Sequence, residues 1–367
     1  MKGIKKYFGL VIVIALVFAL AACGGGGGGG AADTPAAEPP ASSATTDTPA
    51  ASASGGFKIG VSNFSLGNTY RVQNIESIRF AMDNMKAEGI VSDYIITNSD
   101  GDANKQIADV QDLLTAGCDA LIITAQTPTN LNAVIEEAMG NGIVVSTFNS
   151  QPSMDVTVTS RIIEDEVQFG QIGGEWLVGK LGDGPADIIV LSGIAGNDVN
   201  DARFQEPKRL FAEKGYNILG EIFGTWDYAE AKVGVEQLLA AHSNIDAVYS
   251  QGGAMTLAAI DAFLEARRPL VPMTGESNNG LLKAWKANIG VDNFDCIAPI
   301  VNDRSGTLAL EQAIKALQGE SVEGIVNLPY AVITIDNIDD YIKPDLPDSF
   351  WVGSALPDEI ILELFSK

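Results

Sequence analysis

Residues 103–124 read ANKQIADVQDLLTAGCDALIIT, and this stretch decides the fold class. Over 103–116, Ile107, Val110 and Leu114 recur along one face of a helix. Residues 120–124 (ALIIT) form a short, continuous apolar run. A strand of that kind belongs in a parallel sheet covered on both faces. A helix leading into such a strand is half of a β-α-β unit, whose crossover is right-handed.

The same alternation runs outward in both directions. Toward the N-terminus lie a strand over 57–62, a helix over 72–88 and a strand over 93–97. Toward the C-terminus follow a helix over 129–139 and a strand over 143–148. The pattern then restarts with helices over 164–181, 201–214, 229–241 and 254–266, interleaved with strands over 187–191, 218–223, 247–249 and 271–274. Some ten strands exceed what one core holds, so an α/β fold with two parallel sheets in two lobes is expected.

Composition narrows the function. The chain has 367 residues, with 23 Lys+Arg against 47 Asp+Glu and a net charge of -24. No basic run exists outside the extreme N-terminus, which argues against a nucleic-acid partner. His242 is the single histidine, and Cys23, Cys118 and Cys296 are far apart. Neither a metal site nor a disulfide framework is expected from that inventory, and no cofactor. Cys118 and Cys296 read as buried small hydrophobes, and His242 as an exposed residue at a helix exit.

The N-terminus carries Lys2, Lys5 and Lys6, then an uncharged stretch over 8–22. That stretch is too short for a comfortable membrane span, so a secretory signal is favoured over an uncleaved helix. It ends in Leu20-Ala21-Ala22-Cys23, which resembles the lipobox of bacterial lipoproteins. The resemblance implies that 1–22 is a signal peptide and that Cys23 carries the lipid. Residues 24–56 hold no aromatic and no aliphatic larger than Ala, so 23–56 is expected to be the lipidated Cys and a flexible tether.

In open α/β sheets, ligands bind beyond the carboxyl ends of the strands. The loops there supply Asn63, Phe64, Asn68, Tyr70 and Arg71, then Gln126 and Asn149. Later loops supply Trp226, Gly252, Glu276, Asn278 and Asn279, and the helix over 201–214 adds Arg203. Amides, hydroxyls and aromatic rings dominate, and general bases are scarce, so no catalytic residue is assigned. Neutral hydrogen-bonding groups with aromatic faces suit a polyhydroxylated ligand. Any single Asn in such a loop has the alternative role of helix cap or turn. Glu164, Asp165 and Glu166 read as acids favoured by the dipole in a helix's first turn.

Three segments carry a resemblance to a known family. Leu191-Ser192-Gly193-Ile194-Ala195-Gly196, with Arg203 seven residues on, is a glycine-rich turn followed by an arginine. Residues 238–242 (LLAAH) and 246–251 (DAVYSQ) form a helix end and a strand, and 106–117 (QIADVQDLLTAG) a second helix. Over roughly 57–335 the chain resembles the type I periplasmic sugar-binding proteins, in particular the ribose- and galactofuranose-binding group. The resemblance implies two Rossmann-like lobes joined by three crossings near 163–165, 298–301 and 330–332. It assigns 57–163 plus 300–330 to the N-terminal lobe and 164–299 plus 331–367 to the C-terminal lobe. It implies that Arg203 grips ligand hydroxyls, that Trp226 replaces a stacking Phe, and that Tyr70-Arg71 replaces a Trp-Arg pair. Asn149-Ser150 and Gly252-Gly253 depart from the family's Asp-Arg and Asn-Asp. The space vacated at Gly252-Gly253 points to a ligand larger than ribose.

Three function classes follow. The first is a lipid-anchored, monomeric solute-binding protein on the outer face of the bacterial cytoplasmic membrane or in the periplasm. It would clamp a sugar or polyol by hinge closure and hand it to an ABC transporter permease. The second is a sensor presenting the same ligand to a membrane receptor. The third is an extracellular glycosidase, for which Glu164-Asp165-Glu166 would be the carboxylate pair, although adjacent residues in a helix do not face one another.

Overall fold

The computed structural model describes residues 55–365. The expected signal peptide, Cys23 and nearly all of the expected tether lie outside them. The first half runs β1 (Phe57–Asn63), α1 (Thr69–Ala87), β2 (Val91–Asn98), α2 (Ala103–Thr115), β3 (Ala120–Ile123), α3 (Asn132–Gly140), β4 (Val144–Phe148) and β5 (Ser160–Glu164). The second runs α4 (Glu166–Leu181), β6 (Asp187–Ser192), α5 (Asp198–Lys214), β7 (Asn217–Phe223), α6 (Tyr228–Ala241), β8 (Ala247–Ser250), α7 (Gly253–Glu265), β9 (Met273–Thr274), α8 (Asn279–Ala287) and β10 (Cys296–Pro299). The chain ends with α9 (Arg304–Leu317), β11 (Ile325–Leu328), β12 (Val332–Ile333), α10 (Ile338–Tyr341) and α11 (Asp358–Phe365).

Two six-stranded sheets result, ordered β11-β5-β4-β3-β1-β2 and β12-β10-β9-β8-β6-β7. Every pairing in the first sheet is parallel, and in the second only β10–β12 is antiparallel. The α/β expectation from ALIIT therefore holds, and its apolar run has a direct cause. Ala120 and Ile122 point into a core shared with α1 and α9, while Leu121 and Ile123 point into one shared with α2 and α3. In β6 the alternation repeats: Ile188 and Val190 meet α4 and α5, and Ile189 and Leu191 meet α6 and α7. Strands covered on both faces need no polar side, which is why the period-2 signal is missing from their sequences.

The chain passes between the sheets three times: after β5, between β10 and α9, and between β11 and β12. Helix α9 packs on the first sheet although β10, just before it, belongs to the second. Several boundaries differ from the sequence expectation. Glu164, expected to start a helix, instead ends strand β5 (Ser160–Glu164), a strand the sequence reading did not assign, and α4 begins only after Asp165 caps it by accepting from Gln168 N at 2.9 Å. Strand β9 spans two residues rather than 271–274, because Pro272 has no N–H to donate to the ladder. Helix α2 buries Gln106, Val110 and Leu113, a face one residue off the expected one, because Gln106 is drawn in by hydrogen bonds at the end of β3. Cys118 and Cys296 are buried in separate cores, and His242 is half-buried at the end of α6.

Candidate ligand-binding site

A cavity of about 50 Å³ lies at the carboxyl ends of both sheets. From the first-sheet side it is lined by Phe64, Asn68, Tyr70, Arg71, Asn149 and Ser150. From the second-sheet side come Asn197, Val199, Arg203, Trp226 and Glu276. Glu166 and Val301, beside two of the crossings, and Trp351, near the C-terminus, complete it.

Local structure explains how these side chains arrive there. Asn68 caps α1, accepting from Arg71 N at 2.9 Å, so one amide both caps a helix and lines the cavity. The first turn of α1 then projects Tyr70 and Arg71. The Arg71 guanidinium is only 6% exposed, lies 4.7 Å from the Phe64 ring centroid and donates through Nη1 to Asn149 Oδ1 at 3.1 Å. Its Nε is buried without a partner among the described residues. Asn149 in turn donates from Nδ2 to Glu164 Oε2 at 2.9 Å. Asn149 and Trp226 both adopt left-handed backbone, with φ of 48° and 58°. For a side chain as large as Trp that conformation costs on the order of 1–3 kcal/mol, the kind of strain concentrated at functional sites.

The Trp226 ring lies in a slot made by two glycines. A Cβ on Gly193 would sit 2.1 Å from Trp226 Cζ2, and one on Gly252 would sit 2.9 Å from Cδ1. The volume at Gly252 is therefore filled by the indole and is not vacated for a larger ligand. Gly253 is also closed, since its Cβ would meet Glu276 O and Asn278 Cβ at 2.5 Å. Among the described residues the buried indole Nε1 has no hydrogen-bond partner.

Arg203 anchors the second-sheet wall. It is 4% exposed, with Nε donating to Glu166 at 2.6 Å and Nη1 to Glu276 at 2.7 Å and Gln251 O at 2.9 Å. Its guanidinium stacks 3.8 Å from the Phe169 ring centroid. Burial pulls this guanidinium down, but Glu166 and Glu276 outweigh it and hold it well above its ordinary value. Burial raises the Glu276 carboxyl, with Arg203 pulling the other way. Burial, reinforced by Glu166, pushes Glu164 up to about 8.

Glu164 gives a pH prediction. Its carboxyl is raised above its ordinary 4.5, so the folded state binds the proton more tightly than the unfolded chain. The resulting stability is fully present below about 4.5 and is lost as pH rises through about 8. Thermal unfolding of wild type between pH 5 and 8 should show this decline, and Glu164→Gln should flatten it. An identical slope in the variant would count against a protonated Glu164.

Five of the residues singled out from sequence lie outside the cavity lining. Asn63 donates to Asn98 and to Ser65 O and holds the β1 loop. Gln126 is tied through its backbone N to Gln106 Oε1 at 2.9 Å. Gly252 forms the indole slot, and Asn278 caps α8 by accepting from Leu281 N. Asn279 donates to the carbonyls of Lys343, Leu346 and Pro347 and so fastens the C-terminal segment. The other eight line the cavity. Sequence reasoning missed Glu166, whose first-turn position is real but whose carboxylate also reaches Arg203. It also missed Val199, Val301 and Trp351, while Ser150 and Asn197 sit in strand-end loops it read as informative without assigning them to the site. Among the described residues no group of three or more His, Cys, Asp or Glu has metal-holding geometry.

Comparison with known proteins gives this geometry a lineage. The ribose import binding protein of Escherichia coli K12 is 30% identical over 243 residues, covering 65% of this chain and 79% of its own length. The family profile described as periplasmic binding protein domain matches residues 59–321. The chain belongs to the type I periplasmic sugar-binding protein family. A second member of this family, the ribose import binding protein of Haemophilus influenzae, is 25% identical over 256 residues, 68% of this chain and 83% of that protein. Solved structures agree in fold. An ABC transporter solute-binding protein from Thermobispora bispora superposes with a TM-score of 0.73 at 24% identity, covering 84% of this chain and 94% of that one. One from Bacillus halodurans with bound myo-inositol gives 0.69 at 21%, covering 78% and 98%.

Proposed function

We propose that this protein is a lipid-anchored, extracytoplasmic solute-binding protein. It captures a single-ring sugar or cyclic polyol between its lobes and delivers it to an ABC transporter permease. One observation carries the reading: guanidinium donors and aromatic walls face one cavity from both sheets, Arg71 and Tyr70 from one side, Arg203 and Trp226 from the other. Guanidinium forks and amides bond ring hydroxyls, and the rings cover an apolar C–H face. The names of the ribose-importing relatives and the myo-inositol held by the Bacillus halodurans neighbour support the ligand class. The lobes are 57–163 with 300–330 and 164–299 with 331–367, and closure about the three crossings buries the ligand. The role is binding and transport without catalysis, by a monomer.

The test is a thermal-shift screen of the mature protein against D-ribose, L-arabinose, D-galactose, myo-inositol and glycerol. Ligand at a hundred times its dissociation constant should stabilise the fold by about 2.7 kcal/mol. No shift with any of them would sink the sugar reading. Anchoring is checked separately: Cys23→Ala should move the protein from the membrane pellet to the soluble fraction, since the acyl chains attach there.

A further inference from the structure

The segment 350–352 lies beyond the stretch matched by the family profile, yet it touches the site from both sides. On the second-lobe side its contacts are backbone and core. Asn279 N donates to Phe350 O at 2.8 Å, Val352 N donates to Ser277 O at 2.9 Å, and Trp351 forms an antiparallel bridge with Asn278. Phe350 and Val352 are buried in the second lobe's apolar core. This pairing abuts Glu276, which lines the cavity.

On the first-lobe side the contacts run through side chains of α1. Gln73 Nε2 donates to Trp351 O at 2.9 Å, and Trp351 N donates to Gln73 Oε1 at 3.0 Å. The Trp351 indole donates to Thr69 Oγ1 at 2.9 Å, and its ring meets Tyr70 edge-on with centroids 5.6 Å apart. Thr69, Tyr70 and Gln73 belong to the same turns of α1 that project Arg71. Trp351 is 1% exposed and its ring lines the cavity.

We propose that 350–352 is a latch between the lobes, and that Trp351, carried on it, is a ligand-contacting wall that limits the cleft to a single ring. This rests on the solute-binding reading above. The two sides of the latch are unequal. Backbone pairing and buried Phe350 and Val352 fix it to the second lobe, whereas the first lobe holds it through side chains, Gln73, Thr69 and Tyr70, with Ser354 two residues on donating to Asp303. Opening therefore parts the first-lobe contacts and carries Trp351 away from Tyr70. Closing restores the two-point amide clasp and sets the indole against the ligand.

Two measurements on the mature chain decide it. In calorimetry, D-ribose, D-galactose, myo-inositol and the disaccharides sucrose and cellobiose are titrated into wild type, Trp351→Ala and Trp351→Phe. Trp351→Ala should lose about tenfold or more in affinity for the single-ring ligand, about 1.4 kcal/mol, and gain measurable binding of a disaccharide. Trp351→Phe, which keeps a ring against Tyr70, should lie between the two. In small-angle X-ray scattering without ligand, Gln73→Ala should shift the protein to a larger radius of gyration than wild type. Wild-type affinities in a natively folded Trp351→Ala overturn the wall, and unchanged scattering in Gln73→Ala overturns the latch. If Trp351→Ala does not fold, Trp351→Phe and the scattering arm decide. If wild type binds none of the five sugars, the solute-binding reading fails, and the scattering arm still judges the latch.

Discussion

Arg203→Ala should lower the stability of the ligand-free protein by about 3–5 kcal/mol, the cost of stripping the cation from a buried ion cluster. The Glu166 and Glu276 carboxylates would stay in place with their partner gone, 12% and 6% exposed. Gln251 O would lose its donor as well. Ligand binding should fall by a further 1.5–3 kcal/mol or so, the worth of hydrogen bonds to a charged group. Arg203→Lys should rescue little, because one ammonium cannot meet Glu166, Gln251 O and Glu276 from the guanidinium's fixed geometry. Denaturant unfolding with and without the best sugar of the screen separates the two losses. An unchanged ligand-free midpoint would show that the cluster contributes nothing net. From sequence, Arg203 reads either as a cleft donor or as a solvated helix residue. Its burial makes it a structural cation as well as the proposed ligand donor, so its loss affects more than binding.

The second large effect comes from a methyl group. Gly170 of α4 faces the backbone of α5, and a Cβ there would sit 2.2 Å from Arg203 O. Gly174 makes a similar approach, its Cβ 3.2 Å from Pro207 Cα. These glycines let two helices pack almost backbone to backbone. Gly170→Ala must push them apart, and overpacking of that kind costs about 3 kcal/mol. It also displaces the carbonyl of Arg203, which accepts from Tyr249 Oη at 2.6 Å, so sugar affinity should fall too. Gly179→Ala is the control. That position is exposed on the same helix with nothing within 4 Å, and it should gain up to about 1 kcal/mol from helix propensity. Equal stability of the two variants would remove the packing argument.

Legibility from sequence followed the range of the interactions. Strands such as ALIIT and helices such as 103–116 are specified within a dozen residues, so the α/β alternation could be read directly, whereas the three crossings needed the family resemblance as well. Tyr70, Arg71, Asn149, Arg203 and Trp226 were readable because each follows a strand end or a glycine-rich turn. Asn279 has the same local signature but serves carbonyls more than sixty residues away. Glu166 satisfies a local rule completely, as a first-turn acid, and that satisfaction concealed its bond to Arg203. Trp351 lies in a segment with no periodicity, and its partners Thr69 and Gln73 stand at the other end of the folded chain. Only tertiary structure brings them together.

Strand β11 completes a sheet whose other five strands all precede residue 165. A ribosome delivers this chain from its N-terminus, so that sheet must wait at five strands while everything through β10 is made. During the wait β5 is its outermost strand, with one row of backbone donors and acceptors unpaired, the kind of edge that recruits a foreign strand. The interval ends only when Ile325–Leu328 emerges to pair with 161–164. Neither half can therefore finish as an independent step of synthesis. A nascent chain stalled within the second half should be a better chaperone client, and a more aggregation-prone one, than either a shorter or a complete chain.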